Sequence, residues 1–89
     1  MSNVETKVFD ITRTVFNNDS EVVMYVSKDK ETPEDYFIIA IPVYTYSNFV
    51  FDLKDLQTLH FKQSVRHIGN ADQQRQLISY IQDVIEAWG

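Results

Sequence analysis

The sequence predicts an α+β domain: an antiparallel sheet of four to five strands followed by one amphipathic C-terminal helix packed on one face. Three features predict it. Apolar side chains alternate with period two through much of the chain before Gly69. The stretch Tyr36 to Phe51, YFIIAIPVYTYSNFVF, carries no charge. After Asn70, the residues Leu77, Ile78, Ile81, Val84, Ile85 and Trp88 recur at the spacing of one helix face.

A chain of 89 residues is expected to form a single domain with one modest core, residues 1–5 being a loose end. From about Thr6 to Phe16, Phe9, Ile11 and Val15 alternate with Asp10, Thr12 and Thr14, the pattern of a half-buried strand. Asn17 to Ser20 has turn chemistry, because Asn and Asp tolerate left-handed backbone and bond their own main chain. Val22 to Lys28 reads as a second strand, and Asp29 to Asp35 as a polar loop.

Tyr36 to Val43 reads as a third strand. Phe37, Ile39, Ile41 and Val43 share one face, with Tyr36, Ile38, Ala40, Pro42 and Tyr44 on the other. Both faces are apolar, the mark of a strand covered on both sides. Pro42 cannot donate to a ladder, so it belongs near a strand end or on an open edge. A hairpin turn is expected near Ser47-Asn48 and a further strand from Phe49 to Leu53. The stretch is too short and too interrupted for a membrane helix, which needs about 20 apolar residues.

Asp52 to Leu59 fits either a helical turn capped by Asp52 or a tight turn at Lys54-Asp55. The tight turn is favoured, because LHFKQSVRHI then alternates as a strand with Leu59, Phe61 and Val65 inward and His60, Lys62, Ser64 and Arg66 outward. Gly69 breaks that strand. Asn70, with Gln73 three residues on, has the spacing of a capping box.

Composition narrows the function. A net charge of -5 opposes a general nucleic-acid binder, which needs a basic field. The absence of cysteine excludes disulfides, thiolate catalysis and cysteine-based metal sites. The opening residues lack a basic segment followed by an apolar one, so no signal peptide is expected and the natural location is the cytoplasm. Two glycines cannot build a glycine-rich phosphate cradle. On one strand, His60 and His67 would face opposite ways and could not share a metal, and Ser64 and His67 would be similarly separated. The paired carboxylates at Asp19/Glu21, Asp29/Glu31, Glu34/Asp35 and Asp52/Asp55 fall in turns, where water solvates both alike. No enzyme, metal or cofactor is expected.

One helix can cover only one sheet face. The other would show several of Tyr25, Tyr36, Tyr44 and Tyr46, with Ile38. Trp88 is expected to close the edge of the core. The expected role is therefore a small, non-enzymatic protein-interaction module, regulatory or adaptor-like. It would act on a protein partner or as a homodimer through Tyr36, Tyr44, Tyr46 and the basic strip His60, Lys62, Arg66. A compact acidic inhibitor mimicking nucleic acid, as in some phage proteins, and a small ligand-binding domain are the alternatives.

Overall fold

The computed structural model describes residues 4–16, 21–29 and 36–88. A four-stranded antiparallel sheet is followed by a C-terminal helix, an α+β fold. The strands are β1 (Val4–Asp10), β2 (Val23–Asp29), β3 (Phe37–Ile41) and β4 (Tyr46–Val50), lying side by side in chain order. Two helices follow, α1 (Leu59–Ser64) and α2 (Ala71–Glu86). The turn expected at Asn17–Ser20 and residues 30–35 of the expected loop lie outside the described residues.

β1 begins at Val4, so Val4 and Glu5 are strand residues rather than a loose end. The strand expected to run on to Phe16 stops at Asp10, and Thr12–Phe16 forms one wide, π-type helical turn. The Ile11 carbonyl accepts from the amides of both Val15 and Phe16. That turn buries Ile11, Val15 and Phe16 together. Asp10 sets up the bend by accepting from both the hydroxyl and the amide of Thr12, at 2.6 and 3.0 Å. Those two bonds, with the nearby Arg13 charge, hold its carboxyl below the ordinary aspartate value.

β3 is the best-buried strand. Phe37, Ile39 and Ile41 point into the core, opposite Val26 on β2 and Tyr46 and Val50 on β4. Pro42 follows the last residue of β3 and starts a single 3-10 turn, Pro42–Tyr44. The hairpin is closed by Thr45, whose left-handed backbone (φ 52°) sends its amide back to the Pro42 carbonyl at 2.9 Å. The turn thus lies before Ser47-Asn48, and both of those residues belong to β4.

Residues 59–68, read above as a strand, are helix and turn. Phe61, Val65 and Ile68 are buried at i, i+4 and i+7, while Leu59 is exposed. Thr58 caps α1 by accepting from the Phe61 amide. The same holds just upstream, where Leu53–Gln57 is a 3-10 turn with a capping box between Asp52 and Asp55. The Asp55 carboxylate accepts from the amides of both Phe51 and Asp52, at 2.9 and 3.1 Å. Asp55→Ala leaves both donors to solvent, and the expected loss is about 1–2 kcal/mol in urea unfolding, with Asp55→Asn restoring part of it.

α2 has the capping box expected of Asn70 and Gln73, each side chain accepting the other's amide at 2.9 Å. Leu77, Ile78 and Ile81 are buried against the sheet, and Val84, Ile85 and Trp88 pack at the margin of the core. Trp88 meets Phe37 edge-on at 5.4 Å between centroids, closing that end of the core. α2 does not cover this face of the sheet alone. The 3-10 turn supplies Leu56, and α1 with the turn after it supplies Phe61, Val65 and Ile68 to the same core.

Candidate functional site

The pleat decides what the second face of the sheet carries. With Met24, Val26, Phe37, Ile39, Ile41, Tyr46 and Val50 turned toward the helices, the intervening residues point the other way. Register aligns them in rows: Val8, Tyr25, Ala40 and Ser47 in one, Thr6, Ser27, Ile38 and Phe49 in the next. Tyr36 and Phe51 extend this face just beyond β3 and β4. The Tyr36 ring lies 6.3 Å from that of Phe49 and 5.9 Å from that of Phe51. Both phenylalanines remain 57% exposed. Among the described residues, no helix packs over this face.

Of the tyrosines expected there, Tyr36 and Tyr25 are present and the other two are not. Tyr46 points into the covered side and is only 5% exposed. Two residues on from Tyr44, it has the opposite environment from the one expected, because the 3-10 turn at Pro42–Tyr44 breaks the alternation carried over from β3. The Tyr46 hydroxyl sits 3.1 Å from Ser64 Oγ, and Asn48 Nδ2 donates to both oxygens. Tyr44 packs half-buried against Phe16, with ring centroids 5.4 Å apart. The aromatic residues missed were Phe49 and Phe51. An alternating reading of Phe49 to Leu53 places both on one face, and the signal that this face is the open one is the pairing of Phe49 with Ile38.

The basic strip separates. On a strand, His60, Lys62 and Arg66 would line up, but two residues along a helix is a rotation of about 200°. His60 and Lys62 therefore lie on opposite sides of α1. His60 joins the aromatic face instead: with Asn48, Phe49, Phe51, Asp55 and Phe61 it lines a groove of about 400 Å³. Lys62 and Arg66 are exposed.

Ser64 and His67 are engaged structurally. The Ser64 hydroxyl donates to the Phe61 carbonyl at 2.6 Å, so its proton is directed into the backbone and not to His67. His67 Nε2 donates to the Tyr44 carbonyl at 3.3 Å. Among the described residues, no three His, Asp or Glu side chains gather into a metal-holding group, and no helix is long and apolar enough to cross a membrane. A second groove, of about 300 Å³, lies between β1 and the end of α2. Phe9, Tyr80, Val84 and Trp88 line it, with Lys7 and Asp83 the charged members. The Lys7 ammonium is held over the Trp88 ring, 4.4 Å from its centroid.

Comparison with protein families, curated proteins and solved structures finds no match for this chain.

Proposed function

We propose that this chain is a non-enzymatic protein-interaction module of the cytoplasm that binds a protein partner through the uncovered face of its sheet. The observation that supports this reading is the aromatic group Tyr36, Phe49 and Phe51, with Ile38 paired to Phe49 and with Tyr25 and Val8 in the adjacent row of the same face. Contiguous apolar surface of this kind is uncommon on a chain that works alone. Aromatic residues also supply most anchoring contacts at interfaces, since they bury large area at low entropic cost. His60, which lines a groove with Phe49 and Phe51, gives one margin of the face a polar border.

Three variants test the proposal. Phe49→Lys and Phe51→Lys change residues that the core does not use, so each should keep the wild-type fold by circular dichroism. Combined, they are expected to weaken binding of the partner recovered with the wild-type chain by about 100-fold. Val43→Lys is the control, since Val43 is 56% exposed but lies in the Pro42–Tyr44 turn. Unchanged binding in the folded double variant, or equal loss with Val43→Lys, overturns the reading.

A further inference from the structure

The groove between β1 and the end of α2 is built from two periodicities. Tyr80, Asp83, Val84 and Ala87 fall at i, i+3, i+4 and i+7, so one stripe of the helix and its cap forms one wall. Lys7 and Phe9 are two residues apart on β1, and so share the covered side of the sheet and form the other wall. Phe9 and Tyr80 stand nearly perpendicular, their ring centroids 6.0 Å apart and their planes at 82°. Ala87 is the smallest member of the stripe, and a longer side chain there would extend into the space.

The two charged members of the lining come from opposite walls and do not meet. Among the described residues, neither the Lys7 ammonium nor the Asp83 carboxylate has a hydrogen bond or an ion pair. The contact of Lys7 with the face of Trp88, at 4.4 Å, holds the ammonium in place through the ring and leaves its N–H donors available. The groove therefore carries one cation and one carboxylate beside walls that are otherwise aromatic or aliphatic. Its volume of about 300 Å³ lies at the small end of the range for small-molecule sites.

We propose that this groove binds a free α-amino acid with an aromatic side chain. The ligand's carboxylate pairs with the Lys7 ammonium and its ammonium with the Asp83 carboxylate, while its ring enters between Phe9, Tyr80 and Val84. Charge selects this class. A simple carboxylic acid would satisfy Lys7 but bring a like charge toward Asp83, and a simple amine would meet Asp83 but repel Lys7. A molecule that carries both charges on one carbon, with an apolar remainder, answers the cation, the carboxylate and the apolar walls together. The size of the groove agrees, since it admits one small molecule and no extended peptide. Lys7 and Phe9 lie on the covered side of the sheet, so this site stands apart from the open face and from the reading given to it.

The test is a titration with L-phenylalanine, read by the fluorescence of Trp88, the only tryptophan in the chain, and by thermal unfolding. A saturable change with a Kd of about 0.1–1 mM is expected, as for a ligand of few atoms, with a Tm that rises with ligand concentration. Phenylpropionate lacks the ammonium and phenylethylamine the carboxylate, and each is expected to bind about tenfold more weakly. Lys7→Met keeps the stem over Trp88 without the charge, and Asp83→Asn keeps the shape of the acid. Both residues are exposed, so both variants should retain the wild-type circular dichroism, and each should lose about tenfold in affinity for L-phenylalanine. Asp83→Asn should at the same time bring phenylpropionate level with L-phenylalanine. Ala87→Leu fills the groove and is expected to abolish binding. No saturable response up to about 10 mM overturns the proposal. So does equal binding of all three compounds, which would make the groove an apolar crevice without charge recognition, or full affinity in both charge variants. Loss of binding in Phe49→Lys also overturns it, and places the amino acid on the open face.

Discussion

Replacing Ile39 with alanine is expected to lower the unfolding free energy by about 3 kcal/mol, while the same truncation at neighbouring Ile38 costs under about 1 kcal/mol. Ile39 has no exposed surface and lies on the most enclosed strand, between Val26 and Asn48. Removing its side chain beyond Cβ loses the transfer energy of three carbons and leaves a cavity that the flanking strands cannot fill. A domain of this length has a total stability of roughly 5–13 kcal/mol, so the loss is a large share of the whole. Ile38 is one residue away but on the uncovered face, opposite Ser27 and Phe49. Urea denaturation of the two variants measures the asymmetry of the sheet directly. Equal costs would mean that the second face is as closely packed as the first, and the proposed binding surface would be lost with it.

The second large effect is expected at Gly69. Its φ of +64° lies in the left-handed region, which costs an ordinary residue about 1–2 kcal/mol. A Cβ there would also collide with Oε1 of Gln73. That side chain cannot swing aside without consequence. Its oxygen accepts from the Asn70 amide, and its nitrogen donates to the Phe16 carbonyl at 3.1 Å, joining the start of α2 to the turn after β1. Gly69→Ala is therefore expected to cost about 2–3 kcal/mol by thermal or urea unfolding. In a Gln73→Ala background the clash with Oε1 and the capping bond are gone and only the contact with Cβ at 3.1 Å remains, so the cost of Gly69→Ala should fall to about 1–2 kcal/mol. Strict additivity of the two changes would show that the collision contributes nothing.

The parts of the fold that were legible in the sequence are those where one signal dominates. α2 has both a capping box and a sustained apolar stripe, and β3 is a β-branched and aromatic run too apolar for any exposed element. The errors share a cause. Ile11, Val15 and Phe16, like Phe61, Val65 and Ile68, fall at spacings of four, five or seven residues, which serve a helical turn better than a strand. Over such short segments a few alternating polar residues imitate period two. In the second case Thr58 as an N-cap was the overlooked discriminator. The candidate surface was legible as a surplus of apolar faces over available cover. Its members were not, because the Pro42–Tyr44 turn shifts the alternation between β3 and β4. That shift sends Tyr46 inward and leaves Phe49 outside.

The bonds from the Phe49 amide to Asn48 and from the Phe51 amide to Asp55 have a consequence for assembly. A sheet receptive on both margins can recruit copies without end, and an exposed aromatic face would then be carried into a growing fibril. A strand added along the outer margin of β4 would find the Phe49 amide, and that of Phe51 just beyond, already taken. The side chains of Asn48 and Asp55 thus make this margin a poorer template for a neighbouring strand, beside a face that carries two exposed phenylalanines.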